Sequence, residues 1–358
     1  MGVVPAKHER LALTTPDPPL EVAKAQHFGN DVIFIDGLWA TGKSLLGSIV
    51  SGMERVEKAK QDHIHEYVCI LRHLGKIDKD AATWLLRTYA DLSQYNNLIG
   101  REINLRWSDD TGFANNPNSF RYLARLIGGE GDSKIDQING SNLALSLLSH
   151  MIVPVADPLF EAYGPRLKIV EVVRHPVYMA THWHTYFGRF DSPREFTVSF
   201  DHRGTKVPWF AADWADEFVE SSLMDRSILS IVKLYEWLDE AVREARVRER
   251  SVLVLSFESL LMDTDRSMEA LASFLGRSHH RQLRAILRRQ KIPRETIAQG
   301  RGHAVYGWRK GTSEPEAAVY ERNIATVRAE ASDSAMAIFI DAIARYNRRY
   351  PSALATYG

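Results

Sequence analysis

The sequence predicts an α/β protein in which a central parallel sheet is flanked by helices. Three short apolar runs, at 31–37, 167–173 and 251–257, are rich in β-branched residues and have the composition of strands that are buried on both faces. Stretches with apolar residues at helical spacing separate these runs, and such alternation is typical of a parallel sheet. Neither an internal repeat nor a low-complexity tract interrupts the pattern.

The chain is predicted to contain an irregular leader and one folded domain. Residues 1–29 carry several prolines among mixed polar residues and are expected to lie outside the core. We expect residues 30–358 to form a single α/β domain. From about 53 to 130 the apolar spacing is mostly helical, so we predict a helical insertion after the first strand and helix, in a position to shape an acceptor pocket.

A phosphate-binding loop follows the first strand. Residues 37–44 read GLWATGKS, which fits GxxxxGK followed by Ser, and the required strand precedes the loop while a helix follows it. Gly37 and Gly42 permit the tight turn and let backbone amides approach phosphate oxygens closely. The helix-start amides and the charge of Lys43 add to the attraction for an anion. The loop therefore predicts a three-layer fold of the P-loop type.

Taken alone, the loop motif indicates a nucleoside triphosphate with magnesium. Ser44 would then be a metal ligand, and a second acidic residue would complete the site. Asp109 and Asp110 are the candidates, although an aspartate pair before Thr-Gly is more often a turn or a helix cap. The strand at 167–173 is followed by Arg174 rather than by an acidic residue.

The composition argues against several classes of partner. The 45 basic and 45 acidic residues balance, so no overall field attracts nucleic acid. The single cysteine, Cys69, excludes an internal disulfide and favours a reducing compartment. No run approaches the ~18 apolar residues of a membrane span, and the N-terminus lacks the apolar core of a signal peptide. We expect a cytoplasmic protein that binds no nucleic acid and has no membrane span, and nothing in the sequence indicates its oligomeric state.

Arg174 is the second residue that points to a bound phosphate. It directly follows a buried strand, and Pro176 opens the next helix. A guanidinium in this position can bind a phosphate through two parallel hydrogen bonds. This strand, Arg-x-Pro and helix resemble the 3′-phosphate-binding segment of the sulfotransferases that use 3′-phosphoadenosine 5′-phosphosulfate.

Two further segments carry the same resemblance. Residues 251–276 are similar to the family's strand, Glu-x-Leu and helix that ends in Phe-Leu-Gly. Arg309, Lys310 and Gly311 look like the family's loop that closes over the 3′-phosphate. With the loop at 37–44 and Arg174, these segments occur in the order of the family.

The resemblance implies transfer of a sulfuryl group from 3′-phosphoadenosine 5′-phosphosulfate to a hydroxyl or amine of a small-molecule or glycan acceptor. The product would be adenosine 3′,5′-bisphosphate, and no metal would be needed. The implied nucleotide-binding residues are Gly37, Ala40, Thr41, Gly42, Lys43, Ser44, Leu45, Arg174, His182, Arg309, Lys310 and Gly311.

The resemblance also implies a catalytic base upstream of the arginine strand. His150 precedes Arg174 by 24 residues, as the family's histidine does in many members. An imidazole with a pKa near 6.5 is mostly free base at neutral pH and can take a proton from the acceptor. Lys43 would stabilise the charge that develops on the bridging oxygen. The competing interpretation of His150 is a core-facing histidine on an apolar helix.

The chain departs from the family pattern at two places. The family loop usually carries Lys or Arg where this chain has Ala40, and Thr or Ser where it has Lys43. The family also has a serine eight residues after the arginine, where this chain has His182 with Thr181 beside it. The cationic residue of the loop has therefore moved by three positions.

Two other patterns are interpreted as structural. The histidines of HWH, at 182 and 184, do not share a helix face, so we predict no metal site there. The aromatic residues at 207–218 could line the acceptor pocket, but tryptophans at such spacing are more often packing residues.

Two alternatives to sulfuryl transfer remain open at the level of the sequence. The first is a small-molecule or glycan kinase on the same fold, which would hold ATP and magnesium through Lys43 and Ser44. The second is a non-catalytic module that binds the nucleotide without turnover. A fold by itself does not decide among them, because one scaffold hosts several chemistries.

Overall fold

The computed structural model describes residues 20–107, 112–113, 119–297 and 314–351. Within these ranges, five parallel strands form one sheet in the order β2-β3-β1-β4-β7, and two further strands form an antiparallel hairpin. The sheet strands are β1 (Val32–Gly37), β2 (Lys60–Gln61), β3 (Leu145–Leu148), β4 (Leu167–Val173) and β7 (Val252–Ser256). The hairpin strands are β5 (Ser199–His202) and β6 (Thr205–Pro208).

Helices flank the sheet and, apart from β2, are the regular elements of the segment between β1 and β3 in the described residues. After α1 (Lys43–Val50), the helices of this segment are α2 (Ile64–His73), α3 (Lys79–Leu98), α4 (Ser119–Arg125) and α5 (Asp132–Ser141). The remaining helices are α6 (Asp157–Tyr163), α7 (Ala180–Phe187), α8 (Ala215–Glu220), α9 (Leu223–Val247), α10 (Phe257–Met262), α11 (Thr264–Leu275), α12 (Leu283–Arg289), α13 (Glu316–Glu330) and α14 (Asp333–Arg349). The parallel sheet flanked by helices and the helical insertion are therefore confirmed.

The central strands are buried because both faces of a parallel sheet are covered by helices. All six residues of β1 are buried, and β4 is buried except for one intermediate residue. β1 lies between β3 and β4, so the carboxyl ends of these three strands meet at one edge of the sheet. The residues that follow β1, β3 and β4 are consequently brought together there.

The interpretation of His150 as a residue of an apolar helix is wrong. The apolar segment around 143–153 contains β3, and His150 is the second residue after that strand. Its neighbours are bound to the first strand, because the Ser149 and Met151 amides donate to the Ile35 and Gly37 carbonyls at 3.1 and 3.3 Å. A short apolar run cannot be assigned to helix or strand by periodicity alone, and here the pairing with β1 decided it.

A buried ion pair attaches the helical insertion to the segment after α1. Arg125 Nη2 in α4 lies 2.6 Å from Glu57 Oε1, and the Tyr122 hydroxyl donates to Glu57 Oε2 at 2.7 Å. Burial acts to raise the pKa of Glu57, but the Arg125 hydrogen bond and charge hold it below its usual range. Among the described residues, no helix is long and apolar enough to cross a membrane.

Candidate active site

The loop between β1 and α1 is shaped by close contacts that exclude larger side chains. Gly42 has φ 94°, and a Cβ atom there would lie 2.2 Å from the ring of Phe257. Ala40 also adopts a positive φ, 70°, which is uncommon for a residue other than glycine. The indole of Trp39 packs on Trp183, whose Nε1 donates to the Trp39 carbonyl at 3.0 Å. These contacts fix the conformation of the loop at the edge of the sheet where β1 ends.

Lys43 lies along the inner side of the loop. Its Nζ donates to the carbonyl oxygens of Gly37 and Leu38 at 3.2 and 3.0 Å, and the residue is 6 % exposed. Burial lowers the pKa of Lys43 to about 8, while the charges of Asp36, Glu66 and Glu171 oppose this shift. The ammonium therefore braces the loop through two of its N–H groups.

The other predicted loop residues divide into internal and open positions. The Thr41 hydroxyl donates to the Leu38 carbonyl at 2.9 Å and is fully buried, so it stabilises the turn. Ser44 is exposed at the start of α1, and Leu45 behind it is half-buried. Of the loop residues 37–44, Ser44 alone is exposed.

A pair of buried carboxyl groups lies beneath the loop. Asp36 and Glu171 are partners in the β1 and β4 register. Asp36 accepts hydrogen bonds from the Ser149 hydroxyl at 2.9 Å and from the Ile152 and Val153 amides at 2.7 and 3.1 Å. Burial raises the pKa of both carboxyls, and the Asp36 charge adds to the rise at Glu171. Both carboxyl groups are enclosed within the sheet, and the hydrogen-bond partners of Asp36 come from the segment after β3 rather than from the loop.

Arg174 reaches from the end of β4 to the loop. Its Nη1 donates to the Ala40 carbonyl at 2.8 Å, and its guanidinium carbon lies 4.6 Å from the centre of the Phe257 ring. The Tyr235 hydroxyl bonds to both the amide and the carbonyl of Arg174, at 3.0 and 2.6 Å. Arg174 Nε is buried and, within the described ranges, has no hydrogen-bond partner. This donor is available for an anion beside the loop.

Glu258, predicted as part of the family's Glu-x-Leu segment, holds the chain next to Arg174. Its Oε1 accepts from the His175 amide at 3.0 Å, and its Oε2 accepts from the Tyr346 hydroxyl at 2.6 Å. Pro176 opens a 3-10 turn at 176–178 that leads into α7. Glu258 is a structural residue that fixes the exit of β4.

His182 and Arg294 lie near enough to Arg174 for its charge to contribute to their pKa values. Burial lowers the pKa of His182 to about 4, with contributions from the Arg174 and Lys43 charges, so its imidazole is neutral at neutral pH. Burial and then the Arg174 charge lower the pKa of Arg294 to about 10. The Arg294 guanidinium donates to the carbonyls of Lys291, Gln290 and Ile297, at 3.1, 3.1 and 3.5 Å, so it stabilises its own segment of the chain.

His150 lies at the same edge of the sheet, near the loop. Burial and the Lys43 charge lower the pKa of His150, while Glu66 acts to raise it, so the base form dominates at neutral pH. Its Nδ1 is 2.9 Å from Glu66 Oε1, and the ring of His63 is stacked parallel to it. Glu66 and His63 were missed by sequence reasoning, since only the spacing His-x-x-Glu on one helix end connects them.

Several predicted residues fall outside the described ranges. They are Asp109, Asp110, Arg309, Lys310 and Gly311. The aromatic segment at 207–218 is described, and its Trp209 and Phe210 are buried in the core, as expected of packing residues.

The structure is an α/β protein in which a glycine-containing loop joins the central strand of the sheet to the next helix. A model of the sulfotransferase domain matches residues 31–292, well over half of the chain. The chain therefore belongs to the sulfotransferase family, and sulfuryl transfer is its reaction class.

The chain is also similar in structure to solved sulfotransferases, at low sequence identity. The sulfotransferase domain from the curacin biosynthetic pathway is 12% identical, with a TM-score of 0.40 and coverage of 85% of this chain and 99% of the other. The sulfotransferase domain from the Synechococcus PCC 7002 olefin synthase is 13% identical, with a TM-score of 0.41 and coverage of 90% of this chain and 96% of the other. Mouse sulfotransferase SULT7A1 complexed with PAP is 13% identical, with a TM-score of 0.36 and coverage of 89% of this chain and 85% of the other. No curated protein sequence matches the chain significantly.

Proposed function

We propose that the donor is 3′-phosphoadenosine 5′-phosphosulfate and that the acceptor is a hydroxyl or amine of a small molecule or glycan. The observation that carries this proposal is Arg174, whose buried Nε lacks a partner among the described residues while Nη1 touches the loop at Ala40. A buried arginine donor without an acceptor is costly, and a phosphate oxygen would satisfy it. The 3′-phosphate of the donor is the group that would bind there.

The remaining groups of the site divide between the two ends of the donor. The start of α1, with Ser44 and Lys43, would hold the 5′-phosphosulfate, because helix-start amides and an ammonium favour anions. Arg174 and the neutral His182 would bind the 3′-phosphate, together with the segment 309–311 predicted from the sequence. His150 would take the proton of the acceptor, since it is half-buried beside the loop and unprotonated at neutral pH.

The reaction is an in-line transfer in which the chain supplies positioning and charge. The acceptor oxygen or nitrogen forms a bond to sulfur, and the bond from sulfur to the bridging oxygen breaks. Its electron pair stays on the 5′-phosphate, and the acceptor proton passes to His150. Lys43 would stabilise the developing charge on that oxygen. Adenosine 3′,5′-bisphosphate is the product.

A kinase reaction is supported less well by the same residues. The orientation of Lys43 across the loop carbonyls and the exposed Ser44 would also suit a triphosphate. Magnesium would then need a carboxylate at the open side of the loop. The carboxyls on β1 and β4, Asp36 and Glu171, are 0 % and 1 % exposed and raised in pKa, so they are unsuited to that role.

Thermal unfolding with two nucleotides tests the donor. Adenosine 3′,5′-bisphosphate without metal is expected to raise Tm by mass action, and ATP with magnesium is expected to raise it less. A rise in Tm with ATP and magnesium, but none with adenosine 3′,5′-bisphosphate, would reject the proposal. Transfer of radiolabelled sulfate from the donor to simple phenols, amines and sugars then separates an enzyme from a binding module. We also propose a cytoplasmic location, which the single free cysteine, Cys69, supports.

A further inference from the structure

The first turn of α2 places a carboxylate against the proposed base. Glu66 Oε1 lies 2.9 Å from His150 Nδ1, although the two residues are 84 positions apart. The side chain of Glu66 is 8 % exposed and that of His150 is 23 % exposed. A hydrogen bond to a buried carboxylate is stronger than one between neutral groups, so this contact restrains the orientation of the imidazole.

The same contact selects one tautomer of His150. A donation from Gln61 Nε2, 3.3 Å away, requires an unprotonated Nδ1, whereas donation to Glu66 requires a proton on Nδ1. The contact with Glu66 is shorter and involves a charged acceptor, so it prevails. With its proton on Nδ1, a neutral imidazole carries its lone pair on Nε2. Nε2 is then the atom that can accept a proton.

His63 restrains the carboxylate from its other side. Glu66 Oε2 lies 3.4 Å from His63 Nδ1, and the rings of His63 and His150 are parallel, with an interplanar angle of 2° and centres 6.0 Å apart. Burial raises the pKa of Glu66, but the His150 and His63 contacts hold it below its usual range. The carboxylate therefore stays charged at neutral pH. The groups that face His150 are Glu66, His63, Gln61, Lys43 and Asp36.

We propose that Glu66 is a positioning residue that holds His150 in the tautomer and orientation in which Nε2 takes the acceptor proton. This inference rests on the proposed function. During transfer the acceptor proton moves to Nε2, the bond from sulfur to the bridging oxygen breaks towards the 5′-phosphate, and Glu66 stays ionised. The carboxylate stabilises the imidazolium that forms, and it neither gains nor loses a proton.

Glu66→Gln tests the role, because glutamine keeps the shape but can donate a hydrogen bond to Nδ1 and favour the wrong tautomer. We expect kcat to fall about 100-fold, within the usual contribution of a positioned base, while adenosine 3′,5′-bisphosphate still raises Tm as in the wild type. Because Glu66 acts to raise the pKa of His150, the acidic limb of the pH profile should move to lower pH. Glu66→Asp, which keeps the charge, should recover part of kcat.

Glu57→Gln is the matched control. Glu57 is equally buried but is paired with Arg125, so its amide variant should lower Tm without moving the pH profile. If Glu66→Gln lowers Tm as the control does and its loss of activity is explained by that lower stability, with the pH profile unmoved, Glu66 has only a structural role. This result would overturn the proposal.

A second readout does not depend on activity. The ¹⁵N shifts of His150 should show a protonated Nδ1 and an unprotonated Nε2 in the wild type, and a tautomer mixture in Glu66→Gln. If this pattern holds but no sulfuryl transfer is found, the pairing stands and the proposed function fails. If transfer is found but the wild type carries the proton on Nε2, the positioning role fails and the proposed function stands.

Two further outcomes would also overturn the role of Glu66. The ligand atoms of His63, Glu66 and His150 lie within 4.8 Å of one another, a spacing from which a divalent metal could be held after small shifts. Activity that is lost on dialysis against EDTA and restored by Zn²⁺ would make Glu66 a metal ligand. Activity that survives in His150→Ala but not in Glu66→Gln would make Glu66 the base itself.

Discussion

Arg174 and Ala40 are joined by a hydrogen bond from the arginine Nη1 to the alanine carbonyl oxygen, at 2.8 Å. This bond connects the end of β4 to the loop after β1, and it leaves Nε of the arginine without a partner in the described part of the chain. The chain thus places one guanidinium where it stabilises the loop and offers a donor to a ligand.

Arg174→Ala is expected to weaken adenosine 3′,5′-bisphosphate strongly. Loss of charge-assisted hydrogen bonds, about 1.5–3 kcal/mol, corresponds to roughly a 10- to 100-fold higher Kd. Isothermal titration calorimetry measures the change, with Arg203→Ala in the exposed β5–β6 turn as the matched control. Adenosine 5′-phosphate, which lacks the 3′-phosphate, should lose much less affinity. An equal loss for both nucleotides would contradict the role given to Arg174.

Lys43 is expected to produce a basic limb in the pH profile. Its pKa is lowered to about 8 in the free protein, so the ammonium is lost as the pH rises through that value. Because kcat/KM reports ionisations of the free enzyme, kcat/KM should fall above about pH 8. Lys43→Arg keeps its charge and should retain activity to higher pH. If kcat/KM of Lys43→Arg falls at the same pH as in the wild type, while the affinity for the donor at pH 7 is unchanged, the ionisation belongs to another group.

Gly42→Ala is expected to destabilise the fold and the loop together. The new Cβ would lie 2.2 Å from the Phe257 ring, and the alanine would have to adopt the φ of 94° that Gly42 has. Backbone strain and overpacking each cost about 1–3 kcal/mol, so we expect a lower urea midpoint and weaker nucleotide binding. Gly29→Ala, where no atom lies within 4 Å of the new Cβ, is the control. The double variant Gly42→Ala with Phe257→Leu should recover part of the lost stability, because it removes the ring that the new Cβ meets. If the urea midpoint does not rise, the contact with the Phe257 ring is not the cause of the loss.

Arg125→Ala is expected to destabilise the protein in a pH-dependent manner. It leaves Glu57 buried without its cation, which typically costs about 3–5 kcal/mol. The folded pKa of Glu57 is below its usual range, so the stability it contributes is present above about pH 4.3 and is lost as the pH falls through the folded value. Urea unfolding from pH 7 to 3 should therefore show the difference between variant and wild type shrinking in acid. A difference independent of pH would point to lost packing instead.

The parts of the candidate site that lie close together along the chain could be predicted from the sequence. The loop was identified because a strand, the sequence GLWATGKS and a helix follow one another within one short segment. The strand at 167–173 was predicted with the bounds of β4, so Arg174 was correctly placed at its end. His150 was identified by its spacing of 24 residues from Arg174 in the sequence. The strand that precedes it, β3, could not be distinguished from a helix by its sequence pattern.

The sequence by itself determined three of the five sheet strands, β1, β4 and β7, as well as the position of the loop and the family that the protein resembles, because these depend on composition and spacing over a few residues. The tertiary structure alone decided that Lys43 braces the loop carbonyls, that Asp36 and Glu171 share a buried site, and that Glu66 contacts His150. The reason is the order of the strands: β3 and β4 pair on either side of β1 although more than 100 residues separate β1 from β3. No pattern along the chain records which distant side chains that pairing brings together.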